Sequence, residues 1–245
     1  MPAMIEVLHL HKKYGNLVAV EDVSFTVEEG EVFGILGPAG AGKSTIVECI
    51  EGLRNPDGGE INVLGRDPYR ERAEITRRLD VQLRNGRPAD RLRVAEALSL
   101  YSSFYRKPAD WRELMDAVGL MTEARTPVGT LSGGKQQRLS VALALVGNPQ
   151  VAIFDEFTTG LDPRARRDAW ELIETVRDSG VTILLTTQSR AEAERLCDRV
   201  ALMDQGRISV IDTPDRLNRA GPYRRESSVQ FRSATPLGPA LGTAR

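Results

Sequence analysis

Gly37-Pro38-Ala39-Gly40-Ala41-Gly42-Lys43-Ser44-Thr45 decides the fold of this chain. The stretch fits the spacing G-x-x-x-x-G-K-[ST]. It lies between a strand-like apolar run at residues 31–36 and a helix-like segment at 46–53. Strand, glycine-rich loop and helix, in that order, turn the spacing into a phosphate cradle. Successive backbone N–H groups of such a loop converge on an anion, and the helix N-terminus adds the positive end of its dipole. Lys43 is placed to bring a mobile charge to the β- and γ-phosphates, and the Ser44 hydroxyl to ligate Mg2+. The expected ligand is a nucleotide.

The rest of the chain narrows the setting. Its 245 residues suffice for one large α/β domain, or for one domain with a small subdomain. Thirty-three Lys and Arg balance 34 Asp and Glu, so no global field directs the protein to nucleic acid or to an anionic membrane. Cys49 and Cys197 stand far apart in helix-like patterns, which suggests reduced core thiols in a cytoplasmic protein. No basic-then-apolar signal pattern opens the sequence. Apolar runs such as 141–146 and 181–185 are too short to span a bilayer. A membrane role is therefore expected only through a partner.

Hydrophobic periodicity predicts strands at 5–10, 23–27, 32–36 and 60–64, with a turn at Asn55-Pro56-Asp57-Gly58-Gly59. A helix is expected over 69–79. Residues 84–91 break into an exposed loop. Val94, Ala97, Leu98, Tyr101 and Phe104 then recur at helical spacing, and Pro108 and Asp110 open a further helix at 111–118. The block at about 84–145 reads as a helical insertion. From Gln150 onward strands at 151–154, 181–187 and 199–203 alternate with helices at 164–177 and 190–197, which predicts a largely parallel sheet. Residues 221–245 are polar and rich in Gly, Pro and Ser; they are expected to be a disordered tail, with a short strand at 228–232.

Val151-Ala152-Ile153-Phe154-Asp155-Glu156 is an apolar strand ending in two carboxylates. Open α/β sheets present such strand ends beside the phosphate loop. Asp155 would then hold Mg2+, and Glu156 would orient or deprotonate an attacking water. Leu131-Ser132-Gly133-Gly134-Lys135-Gln136-Gln137-Arg138 is a second glycine turn opening a helix, with Ser132 as N-cap. One chain needs a single cradle, so the second suggests that each of two subunits supplies half of a shared site.

These segments, in this order and spacing over about residues 5–217, resemble the ATP-binding subunit of ABC transporters. The resemblance implies a P-loop NTPase core with a mostly parallel sheet, an N-terminal antiparallel β subdomain and an inserted helical signature subdomain. The domain would cover residues 1–220. It implies ATP and Mg2+ as ligands, two subunits pairing as a homodimer or heterodimer, and a separate membrane permease as partner. No nucleic acid is involved, and the location implied is the inner face of the cell membrane, reached through the permease. Tyr14 would stack on adenine. Lys43 and the loop residues Gly37 to Thr45 would bind phosphates. Ser132 and Gly134 of one subunit, with Gly133 and Gln136 in the same segment, would close over the γ-phosphate held by the other. Gly160-Leu161-Asp162 would join the two sites. Residues 191–198 look most like the drug- and antibiotic-export branch.

Three positions depart from the family pattern. Ala39 stands where many relatives carry Asn. Arg84 falls where a Gln usually contacts Mg2+ and water, although Gln82 two residues earlier offers an alternative register. Gln188 replaces the His expected after the strand at 181–187, and the two histidines, His9 and His11, lie too early in the chain to substitute. Glutamine donates hydrogen bonds but carries no positive charge, so the expectation is normal ATP binding with slowed hydrolysis. A weakly catalytic partner in a heterodimer is the alternative. Soluble ABC proteins of translation or DNA repair carry two such units or a long coiled-coil insertion, and neither is visible in this sequence.

Overall fold

The computed structural model describes residues 3–75, 78–82 and 89–220. Two long strands, β1 (Ala3–Tyr14) and β2 (Leu17–Glu28), form a hairpin closed by Gly15 and Asn16. The chain continues through β3 (Val32–Leu36), α1 (Lys43–Ile50), β4 (Gly58–Val63), α2 (Arg72–Ile75) and β5 (Leu79–Gln82). Three helices follow: α3 (Val94–Ser102), α4 (Trp111–Ala117) and α5 (Gly133–Leu145). The second half alternates β6 (Val151–Asp155), α6 (Pro163–Asp178), β7 (Thr182–Thr187), α7 (Arg190–Leu196) and β8 (Arg199–Asp204). It ends with β9 (Arg207–Asp212) and α8 (Pro214–Ala220).

The strands form two sheets. An antiparallel sheet has the order β2-β1-β4, and a six-stranded sheet the order β5-β6-β7-β3-β8-β9. The larger sheet is parallel except where β9 returns along β8. Its inner strands bury both faces, which is why they read as continuous apolar runs. Val32 and Leu36 of β3 join Ala152, Phe154, Ile183, Leu185, Val200 and Leu202 beneath α3 to α7. Phe33 and Ile35, with Ile153, Leu184, Ala201 and Met203, pack on the other face against α1 and the antiparallel sheet. Phe25 stacks on Phe33 at 5.1 Å and ties the two sheets together. Helices α3 to α5 intervene in the chain between β5 and β6, yet these strands are direct neighbours, so the helical block is an excursion from the sheet edge.

Several expectations are corrected. The helix expected over 69–79 shrinks to Arg72–Ile75, and Leu79 instead opens β5 opposite Val151. The local helix-forming residues lose to a parallel ladder that sequence periodicity does not show. Helix α1 starts at Lys43 rather than 46, because the last loop glycine already serves as its N-cap. Strand β9 and helix α8 were not foreseen. The turn before β9 is Gln205-Gly206, with both residues at positive φ, a primed hairpin without the usual Asn-Gly signal. The tail from 221 and the short strand expected at 228–232 lie outside the described residues. No helix among the described residues is long and apolar enough to cross a membrane.

Candidate nucleotide site

The glycine loop leaves the C-terminal end of β3 and turns into α1. Its path is held by hydrogen bonds from Gly37 N–H to the Thr187 carbonyl and from Gly206 N–H to the Ala41 carbonyl. Two glycines are dictated by close approach. A Cβ at Gly37 would lie 2.1 Å from the Met203 carbonyl oxygen, and one at Gly42, where φ is +105°, 2.3 Å from that of Ala19. Pro38, Ala39 and Gly40 form the exposed crown. Lys43 is almost fully buried. Its Nζ donates to the carbonyls of Gly37 and Pro38, both at 2.8 Å, and pairs with Glu156 Oε1 at 3.1 Å.

The carboxylates arrive from β6. Asp155 divides its oxygens between two hydroxyls: Oδ2 accepts from Ser44 at 2.9 Å, and Oδ1 accepts from Thr186 on the neighbouring strand. Glu156 follows in the left-handed region, with φ +47°, a backbone strain that non-glycine residues store mainly at functional sites. Its N–H is fixed by the carbonyl and hydroxyl of Thr186, at 3.0 and 3.1 Å. The Gln188 amide reaches across from the end of β7 and donates to Glu156 Oε1 at 3.0 Å. Lys43, Ser44, Asp155, Glu156 and Gln188, drawn from 146 residues of chain, therefore form one hydrogen-bonded cluster.

Tyr14, Gly40, Gly42, Lys43, Ser44, Thr45 and Glu156 border a single cleft of about 470 Å3, which Gln205 and Gly206 also line. Tyr14 stands at the tip of the β1–β2 hairpin with its ring partly exposed and the cations of Lys12 and Arg54 5.6 and 5.9 Å from its centre. A larger hollow of about 750 Å3 lies along β4, where Glu6, Glu60, Arg66 and Tyr69 line it, and it shares no residue with this cleft.

Ser132, Gly133, Gly134, Gln136 and Asp162 do not line the cleft. Ser132 occupies the N-cap position of α5, but its hydroxyl makes no capping bond, a correction to the capping role expected of it. The Gln136 amide folds back onto the Leu131 carbonyl at 3.0 Å, and Lys135 pairs with Glu123. Asp162 caps α6; the N–H groups of Ala165 and Arg164 hold its carboxyl below the usual range. Arg84 lies outside the described residues, and Gln82 is placed only by its backbone pairing with Phe154.

One residue that the sequence does not single out, Thr186, belongs to the site. The Thr186 hydroxyl donates to the Asp155 carboxylate and accepts the Glu156 N–H, and its only sequence signal is its place beside Asp155 in a parallel pair. Outside the cleft, Glu51, buried at the far end of α1, has its carboxyl pushed up to about 7 by burial and then by the charges of Asp155 and Glu48.

The donors fit magnesium and a polyphosphate. Mg2+ takes hard oxygen ligands from one or two side chains and completes its shell with water and phosphate, and Ser44 Oγ beside Asp155 Oδ2 is such a pair. Among the described residues no group of three or more His, Cys, Asp or Glu gathers to hold a metal unaided. A glycine-rich strand-to-helix loop with a buried lysine, joined to a strand-end Asp-Glu pair, defines a P-loop NTPase. Residues 20–159 match the ABC transporter family, and the chain belongs to it. It is similar to the Nod factor export ATP-binding protein I of Sinorhizobium fredii, 42% identical over 87% of this chain and 64% of that protein. It is also similar to the doxorubicin resistance ATP-binding protein DrrA of Mycobacterium tuberculosis, 40% identical over 84% and 64%. The chain thus spans slightly under two thirds of the length of these relatives. Among solved structures, an ATP-binding subunit of an ABC transporter superposes with a TM-score of 0.78 at 29% identity, over 90% of this chain and 94% of that one. The dimeric structure of a bacterial ABC transporter cassette gives 0.75 at 26% identity, over 86% and 99%.

Proposed function

We propose that this chain binds and hydrolyses ATP, pairs with a second such subunit around the nucleotide, and powers export through a separate membrane permease. The observation that carries the reading is the Glu156 carboxylate, gripped at one oxygen by both Lys43 and Gln188. A polyphosphate is a competing anion for Lys43. Transfer of that ammonium to phosphate would release Glu156 to hold the proton of an attacking water while Gln188 keeps its carboxylate aimed. Ser44 and Asp155 would hold Mg2+, which when bound neutralises phosphate charge. The loop amides and the N-terminus of α1 would bind the phosphates, and Tyr14 would offer its exposed face to the base. The export direction rests on the names of the Nod factor and doxorubicin relatives; the drug-like or lipophilic substrate is an extension from them.

The dimer is supported by the second glycine segment. Gly133 and Gly134 have ordinary helical backbone, and a Cβ on either would meet nothing within 4 Å among the described residues. No contact among the described residues requires their bareness, and it leaves room for a phosphate or backbone brought by another subunit. The heterodimer alternative rests on Gln188 and Arg84: a homodimer would carry both substitutions in both sites.

Steady-state Mg-ATP hydrolysis beside Glu156→Gln, with nucleotide binding measured for both, tests the proposal. Turnover lost in the variant with binding retained supports a working ATPase. Binding without turnover in either protein would sink the homodimeric ATPase and favour the heterodimer.

A further inference from the structure

Gln188 is flanked by two residues whose hydrogen bonds lead away from the nucleotide cleft to a buried carboxylate. Ser189-Arg190-Ala191-Glu192 has the S-x-x-E form in which the glutamate ordinarily turns back to the N–H of the capping serine. Here it does not. The Ser189 N–H donates to the Thr187 hydroxyl oxygen at 2.9 Å, and that hydroxyl donates in turn to Glu192 Oε2. The other carboxylate oxygen accepts the indole N–H of Trp170 at 3.0 Å. Glu192 is 1% exposed, although glutamates are seldom fully buried unless paired. Trp170 lies on α6, the helix entered directly after the loop that follows Glu156. The two segments that leave the reacting cluster, one after Glu156 and one after Gln188, are thus fastened together at Glu192.

We infer that Glu192 is a positioning residue for hydrolysis: through Thr187 and Trp170 it holds the 187–189 segment so that the Gln188 amide stays on Glu156. The inference rests on the ATPase reading above. A simple helix cap would need only the Ser189 hydroxyl, which already accepts the Glu192 N–H at 3.4 Å. The tie to Trp170 adds nothing to that cap. It joins α6 to α7.

Thr187→Val keeps the side-chain shape and removes the hydroxyl that relays to Glu192; Glu192→Gln is the conservative second variant. Positioning predicts that kcat for Mg-ATP falls about tenfold to a hundredfold while KM and nucleotide affinity stay within about twofold, as a small misplacement at a reacting group does. In a Gln188→Ala background the same substitution should cost nothing further, because the group being aimed is gone. Losses that add in the double variant, a KM that rises as kcat falls, or a Gln188→Ala protein with undiminished kcat would each overturn the inference. A second readout is independent of turnover. The chain has two tryptophans, so the indole N–H resonance of Trp170 can be assigned with Trp111→Phe. It should shift in Thr187→Val through the shared carboxylate, and an unmoved resonance would refute the linkage. If the parent protein hydrolyses ATP no faster than Glu156→Gln, the ATPase reading falls, and the Trp170 resonance still decides whether Glu192 joins the two helices.

Discussion

The two glycine-rich helix openings look alike in sequence and differ in almost every physical respect. At the start of α1, Gly37 and Gly42 are forced by carbonyls within 2.1 to 2.3 Å of where a Cβ would sit, and Lys43 is turned inward onto Gly37, Pro38 and Glu156. At the start of α5 the glycines face open space, the Ser132 hydroxyl caps nothing, and Lys135 is held to one side by Glu123. One segment is complete within the chain. The other meets no partner among the described residues, and on the proposed reading a second subunit supplies it. A glycine whose Cβ would clash is explained by its own fold, whereas a helical glycine in open space costs helix stability with no contact among the described residues to require it.

Substitution can break that contrast directly. Gly42→Ala should be the most damaging, since both the positive φ and the Ala19 carbonyl oppose a side chain. Nucleotide affinity, measured by calorimetry, should fall by two orders of magnitude or more, about 3 kcal/mol, if the protein folds at all. Gly134→Ala should do the reverse to the fold. Alanine is the better helix former by roughly 1 kcal/mol, so thermal stability should hold or rise, while ATP-dependent pairing and turnover fall by at least about tenfold through lost room at the interface. Equal destabilisation by the two substitutions would erase the distinction drawn here.

Most of the sheet could be read from sequence because β3, β6, β7 and β8 bury both faces and so carry unbroken apolar runs. The loop and the Asp155-Glu156 pair were legible because their chemistry depends on spacing within a few residues. What escaped depends on contacts between distant segments. Leu79 becomes a strand residue only because Val151 lies beside it, and Thr186 joins the site only because parallel register sets it against Asp155. The Glu192 relay reads in sequence as an ordinary capping box.

A smaller effect sharpens the comparison within the first opening. Gln188→His, which restores a side chain able to carry charge beside Glu156, should raise turnover several-fold in a steady-state assay and leave affinity unchanged. No change would mean that the amide already suffices.

The last effect is on stability alone and concerns Glu51. Unfolded, its carboxyl ionises near 4.5, and folded near 7. The folded state therefore holds the extra proton between those values. The resulting stabilisation is present below about 4.5 and is lost as pH rises through 7, on the order of 3 kcal/mol at most. Glu51→Gln should flatten that part of the stability–pH curve in denaturant titrations, and an unchanged slope would show that another group carries it.

The packing of the first glycine loop also bears on biosynthesis. Gly37 is anchored to Thr187 and packed on Met203, Ala41 accepts a hydrogen bond from Gly206, and β3 is flanked in the sheet by β7 and β8. Ala19, packed against Gly42, precedes the loop, but the groups that hold Gly37 and Ala41 are translated some 150 residues or more after it. The packing of the loop is therefore complete only once roughly residue 206 has emerged from the exit tunnel. On the proposed reading, a nucleotide would meet a largely finished domain rather than serve as a template for its folding.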